Sequence, residues 1–332
     1  MSRARELADL SNVINKGANL QPNLIINSDM SVAQRATSEA SLSSFSKYPC
    51  VDRFHCEGAS SGTFTISQSS TAPEGFSNSL KFDCTTADAS PSYLLISQRI
   101  EGQNLQVLGK GSANAKKTTL SFYVRSNKTG TYQVNLRDVD NTRLIGKTYT
   151  INAADTWERK SVTFDGDTTG SLGDDNGDSL RVEWWLAAGS TYNSGAVPTT
   201  WEALSNGDRA AGLNVAIGAS TDDEFFITGV SLVVGDSAPV THPYESYSDN
   251  LSRCKRYFQK NDNGTYSSNV TSGSVTTNNY VQWFYVPEMR ATPTLTSAVG
   301  TNDGSNRKRG QYYNATTNYA QFQSGATADA EL

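Results

Sequence analysis

Charge is scarce in this 332-residue chain: Asp, Glu, Lys and Arg together make up 18% of it, and 33 acidic residues against 28 basic ones leave a net −5. There is no basic excess to coat a nucleic acid or a polybasic membrane surface, so no nucleic-acid partner is expected. Long apolar runs are missing as well. Nothing approaches the roughly 20 residues that span a bilayer, so no membrane insertion is expected. The opening MSRARELADL lacks the apolar centre of a signal peptide. Cysteine is confined to Cys50, Cys56, Cys84 and Cys254, with no CxxC pair. Buried free thiols are the expectation, although Cys50 and Cys56 are able to bridge if a bend brings their Cα atoms within about 7 Å.

Catalytic signatures are equally thin. No GxSxG, no P-loop and no GxGxxG opening a helix occurs, which removes the usual support for acyl-transfer and nucleotide chemistry. The two histidines, His55 and His242, lack a second histidine at metal-ligand spacing. A Ser-His-Asp set assembled in space remains open to the sequence, since triads are not local. So does a glycosidase pair drawn from Asp52, Glu57, Asp222, Asp223 and Glu224. The simpler reading of those acids is solvated surface, and no enzyme and no cofactor are expected.

Ser, Thr, Asn and Gly crowd the sequence, which suits strands joined by many turns. In Thr119–Arg125, Leu120, Phe122 and Val124 share one face. In Thr131–Arg137, Tyr132, Val134 and Leu136 do the same, and the intervening NKTG of Asn127–Gly130 predicts a hairpin. Further strands are predicted at Gly62–Ser67, Leu80–Cys84, Tyr93–Ile100, Arg143–Ile151, Lys160–Phe164, Leu180–Ala187, Gly212–Ile217 and Glu224–Val234. Many short strands without long helices predict an all-β, jelly-roll β-sandwich.

Two appendages flank it. Residues 1–22 carry Leu7, Leu10, Val13 and Ile14 at helical spacing, a stripe too small to be stable alone, and predict a short helix that docks on a partner. A composition break after Gly235 places the end of the sandwich, residues 23–246, near Tyr247. Residues 247–332 predict a smaller β-module with few large aliphatic side chains, whose thin core self-association would support.

Two constellations stand out. GDDNGDS, Gly173–Ser179, concentrates oxygen ligands of the kind Ca²⁺ selects, yet fails the EF-hand frame because Gly177 is misplaced and Trp185 stands where Glu is required. A tight hairpin loop is the alternative, and no metal site is assigned. In Leu180–Ala187, alternation puts Leu180, Val182, Trp184 and Leu186 on the core face and leaves Trp185 beside Arg181 and Glu183 on the polar face. A large ring flanked by hydrogen-bonding charges is how proteins hold sugars. Tyr192 and Trp201 are expected to extend that platform, and the hairpin to add Tyr123, Arg125, Gln133, Asn135 and Arg137. The competing reading is that Trp185 is covered by the Tyr192–Asn206 loop or by another subunit.

The string NLIINSDMSVAQRATS (Asn23–Ser38) followed by YPCVDRF (Tyr48–Phe54) resembles the opening of the carbohydrate-binding-module-like jelly rolls of bacteriophage tail fibres and other virion proteins. The likeness continues through Leu120–Asp138, Thr150–Gly170, Leu180–Tyr192 and Phe225–Ala238, about two thirds of the chain. LSRCKRYF, VPEMRATPTLT and ADAEL resemble the region that follows such modules, and SRARELADL is similar to N-terminal segments of structural proteins from marine podovirus-like phages. The resemblance implies a non-enzymatic virion protein made in the host cytoplasm. It implies an adhesin that binds host-surface glycans, forms a homotrimer and joins other virion proteins through Leu7, Leu10 and Ile14. The alternative is a capsid decoration or tail scaffold protein contacting only virion partners. A depolymerase is disfavoured because no β-helix repeat is visible. Related sugar-binding modules often end in an acidic strand that holds Ca²⁺. Here Ile227-Thr228-Gly229-Val230 stands in its place, so that metal is not implied, and Asn27 and Asp29 read as turn formers.

Overall fold

The computed structural model describes residues 22–332 apart from 262–264, 269–278, 297, 300, 303–304 and 315–318. The predicted N-terminal helix, with Leu7, Leu10 and Ile14, lies outside the described residues. From Ser38 onward the chain is the expected all-β jelly-roll sandwich. Its strands are β1 (Ser38–Lys47), β2 (His55–Ser69), β3 (Ser79–Thr86), β4 (Tyr93–Glu101), β5 (Thr118–Ser126) and β6 (Gly130–Asp138). They continue with β7 (Arg143–Ile151), β8 (Glu158–Phe164), β9 (Asp178–Ala188), β10 (Glu202–Ala203) and β11 (Glu224–Val234).

All pair antiparallel, in the order β10-β7-β6-β9-β4-β2-β3-β11-β5-β8. The long strand β2 divides this ribbon into two sheets. Its first half, His55–Ala59, pairs with β4, and its second half, Thr63–Ser69, pairs with β3, while β1 follows it along both halves. Between the halves sits Gly62, where an added Cβ would stand 2.2 Å from the Thr86 carbonyl oxygen, so only glycine lets the ribbon cross over. The two inner faces close on one aromatic-rich core that includes Phe54, Phe64, Phe82, Phe122, Tyr132 and Trp184. Burial of this apolar surface is the main force holding the sheets together.

The predicted β5–β6 hairpin is not formed. β5 pairs with β8 and β11, whereas β6 pairs with β7 and β9, so Asn127–Gly130 is an arch from one sheet to the other. Leu120, Phe122 and Val124 face Tyr132, Val134 and Leu136 across the core instead of beside them. Gly212–Ile217 is also not a strand. It holds to the sheets by isolated bonds, Asn214 N–H to Thr131 O at 3.0 Å and Ile217 N–H to Leu186 O at 3.0 Å. The four cysteines are free and buried.

A helix, Tyr247–Lys255, capped by Ser246 Oγ accepting from Asp249 N, leads into three small three-stranded sheets. Their described cores are small, one built on Phe322 and Ala326, the other on Tyr285, Met289, Ala328 and Ala330. This region is clamped to the sandwich. Cys254 and Tyr257 pack with Ile26 and Val32. Arg256 pairs with buried Glu101 at 2.8 Å, and Arg290 donates to Asn176 O at 2.8 Å. Arg53, 1% exposed, pairs with Glu331 and lies 3.5 Å from the centre of the Tyr257 ring.

Candidate functional site

Because side chains alternate across a strand, the outer face of the first sheet is fixed by the inward set Val182, Trp184, Val134, Leu136 and Ile96. Register then lays the outward residues in cross-strand rows. Glu57, Leu95, Trp185 and Gln133 form one, and His55, Ser97, Glu183 and Asn135 the next. Arg99, Arg181 and Arg137 form a third. The alternation read from Leu180–Ala187 is thus correct: Arg181, Glu183 and Trp185 share the face opposite Trp184.

Trp185 is nevertheless not an open platform. It is fully buried, and with it Leu95 and Ala210. The segment 189–213 crosses this half of the face as a strap. Asn135 Nδ2 donates to Arg209 O at 2.7 Å, Gln133 Nε2 to Asp208 O at 2.9 Å, and Gly212 N to Gln133 Oε1 at 2.7 Å. Arg209 reaches Glu183 at 2.9 Å and lies 4.8 Å from the Trp185 ring centre. Tyr192, as expected, is beside Trp185, with ring centres 5.1 Å apart, and it also meets Tyr93 at 5.3 Å. It lies on top of the tryptophan and so shuts it in. The competing reading, cover of Trp185 by the Tyr192–Asn206 loop, is thus the one the structure bears out, although the covering segment extends to residue 213 and is held largely by its main-chain groups.

The remaining predicted residues divide. Tyr123 and Arg125 are on the outer face of the second sheet, the consequence of the arch. There Tyr123 packs on Phe76 at 5.4 Å and Arg125 pairs with Asp155 at 3.0 Å. Trp201 is half-buried near Leu180, at the far end of β9 from Trp185, with its indole N–H on Asp165 O at 2.7 Å. None of these three joins the Trp185 group.

Beyond the strap the same face stays accessible. Arg99, Arg137 and Arg181 keep 14%, 24% and 19% of their side chains exposed. Arg181 is held by Asp178 at 2.6 Å, Arg99 is 3.5 Å from Glu57, and Arg137 is 3.5 Å from Glu183. Half-buried Tyr93 and Tyr192 stand at the strap end. At the other end Arg99 donates to Leu332 O and also lines a cavity of about 330 Å³ with Ile26, Arg253, Arg256 and Tyr257. Sequence reasoning missed Arg99, Ser97 and Tyr93, because their strand is brought next to β9 only by a long-range pairing.

One triad-like contact occurs at the edge of this face. Ser46 Oγ lies 3.4 Å from His55 Nε2, and Glu57 Oε1 lies 3.1 Å from His55 Nδ1. Burial is the main cause that lowers the His55 pKa, and the Arg99 guanidinium, 3.3 Å from Nε2, pushes in the same direction against the raising effect of Glu57.

The GDDNGDS run is a structural loop. Asp175 Oδ1 accepts from Gly177 N at 2.7 Å, Asp178 holds Arg181, and Asn176 binds Arg290. Among the described residues, no group of three His, Cys, Asp or Glu side chains is placed to hold a metal ion. Asn27, at φ 57°, builds the first turn by accepting from Val32 N and donating to Val32 O. Asn27 Oδ1, Asp29 Oδ1 and Ser31 Oγ then converge on the amide nitrogen of Asn250, at 3.3, 3.1 and 3.0 Å. The turn's oxygens therefore receive an N–H donor from the helix Tyr247–Lys255.

No family model and no curated protein matches the chain. Among solved structures it is similar to the enzymatically active domain of tailspike protein 4 of bacteriophage CBA120, at 11% identity and a TM-score of 0.34, over 64% of this chain and 21% of that one. It is similar to TmCBM61 in complex with β-1,4-galactotriose, at 10% identity and a TM-score of 0.30, over 64% and 99%. A family 11 carbohydrate-binding module from Clostridium thermocellum, in complex with a β-1,3-1,4-mixed-linked tetrasaccharide, gives 10% and 0.30 over 60% and 97%. The chain thus spans about a fifth of the tailspike structure. None of these likenesses assigns a role to a residue of this chain.

Proposed function

We propose that the chain is a non-enzymatic saccharide-binding protein, a phage fibre adhesin that holds host-surface glycans on the uncovered half of the first sheet's outer face. The observation that carries the binding reading is the cross-strand row of Arg99, Arg181 and Arg137, with the Glu57 carboxylate 3.5 Å from Arg99. Guanidinium forks and a carboxylate supply donors and acceptors for sugar hydroxyls. The virion assignment rests on the resemblance of Asn23–Ser38, Tyr48–Phe54 and the later segments to fibre proteins. Self-association is supported by the exposure of Phe284 and Val286 in the C-terminal region, and the trimer is what the resemblance to fibre proteins implies.

A single site of this kind binds at roughly millimolar to micromolar strength, and several copies on one fibre raise the effective concentration. A glycan microarray probed with the full chain, together with adsorption of fluorescent protein to host cells, tests the reading. Binding that weakens in Arg137→Ala supports it. A folded chain that binds no glycan and no cell surface refutes it. For the non-enzymatic part, p-nitrophenyl acetate should be hydrolysed no faster than in buffer. Turnover that disappears in Ser46→Ala would overturn that part.

A further inference from the structure

We infer that the saccharide held on this face is acidic, carrying carboxylate or sulfate groups along its length. The inference rests on the saccharide-binding reading and narrows it. Like charges placed directly opposite on neighbouring strands are destabilising. Yet Arg99, Arg181 and Arg137 occupy one row across β4, β9 and β6. The local acids do not balance them. Four guanidinium groups, those of Arg99, Arg137, Arg181 and Arg209, share three side-chain carboxylates, those of Glu57, Asp178 and Glu183, and among the described residues only Arg99 has a further oxygen acceptor at the C-terminal side, Leu332 O. His55 adds no negative charge.

Arg137 is the least satisfied. Among the described residues its only carboxylate contact is Glu183 at 3.5 Å, and that group is already engaged by Arg209 at 2.9 Å. The Nε atoms of both Arg137 and Arg99, like Ser97 Oγ in the adjoining row, are buried and have no hydrogen-bond partner among the described residues. A locally cationic strip on a chain of net charge −5 is not a reflection of overall composition. With neighbouring strands about 4.8 Å apart, the row spans roughly 10 Å, long enough for a disaccharide to place acidic groups against more than one arginine. Arginine suits this task because its planar fork meets a carboxylate or sulfate in two parallel hydrogen bonds.

The test uses affinity electrophoresis and calorimetry of the full chain with oligogalacturonate and dextran sulfate, set against carboxyl-reduced oligogalacturonate and plain dextran. At least one acidic polymer is expected to bind about tenfold or more tighter than its neutral counterpart. That preference should be lost in Arg137→Gln and Arg181→Gln, be largely restored in Arg137→Lys, and be unchanged in Arg125→Gln on the opposite sheet. Circular dichroism and urea midpoints identify variants that are folded. Should Arg181→Gln fail to fold, the Arg137 pair decides. Equal binding of acidic and neutral forms overturns the inference and leaves saccharide binding standing, as does binding of neutral polymers alone. Acidic binding that survives in folded Arg137→Gln also overturns it, because the charge would then be read elsewhere. If none of the four polymers binds and a microarray is blank, both this inference and the reading beneath it fall.

Discussion

Replacing Trp185 separates burial under the strap from an exposed sugar-stacking role. The ring is fully buried among Leu95, Ala210 and Tyr192, and Arg209 lies 4.8 Å from its centre. Truncating a buried Trp to Ala typically costs about 3–5 kcal/mol, and the lost cation–π contact adds about 1 kcal/mol. Against this, Trp185 Nε1 is buried without a hydrogen-bond partner, and deleting an unsatisfied donor returns about 1–3 kcal/mol. Trp185→Ala should therefore destabilise by about 1–5 kcal/mol, centred near 3. Trp185→Phe keeps most of the ring and removes the orphan N–H, so it should lie within about 1 kcal/mol of wild type. Urea unfolding followed by intrinsic fluorescence measures both. Limited proteolysis reports the strap, which in the Ala variant should become cleavable between Ser190 and Asn206. Wild-type stability and an uncut strap in Trp185→Ala would refute the packing argument, and a Phe variant as damaged as the Ala variant would show that the N–H is bonded.

Glu331→Ala leaves Arg53, 1% exposed, without its carboxylate. Breaking a buried pair in this way costs about 3–5 kcal/mol, read as a lowered urea midpoint, and a change under about 1 kcal/mol would contradict the clamp. Glu57 gives the pH signature. Burial works to raise its pKa, but the His55 hydrogen bond and the charges of Arg99 and Arg181 outweigh it and hold it at about 2 against an ordinary 4.5. A depressed carboxylate pKa stabilises the fold above the unfolded value and ceases to do so as the pH falls through the folded one. The margin of wild type over Glu57→Gln should shrink as the pH falls from 4.5 to 2, where Glu57 itself is neutralised. A margin that grows on acidification would contradict the assignment.

Local periodicity carried the faces. Leu180, Val182, Trp184 and Leu186 could be assigned to the core, and Arg181, Glu183 and Trp185 to the outside, because a period of two leaves no freedom once one face is apolar. It did not carry partners. The Asn127–Gly130 turn signals a reversal, but whether the returning strand pairs or crosses to the other sheet depends on β8, β9 and β11, which lie further along the chain. The same limit hid the arginine row, since residues 99, 137 and 181 become neighbours only through those pairings. Cover of Trp185 by the loop that begins at Tyr192 was legible as an alternative, whereas the Arg53–Glu331 clamp, separated by 278 positions, is a long-range contact made by segments with no period to read.

The most direct measurement of the central claim is backbone-amide NMR mapping of the full chain titrated with oligogalacturonate. The account predicts saturable shifts at Ser97, Arg99, Arg137 and Arg181 and none at Tyr123 and Arg125. Shifts confined to the second sheet or to the C-terminal region would contradict it.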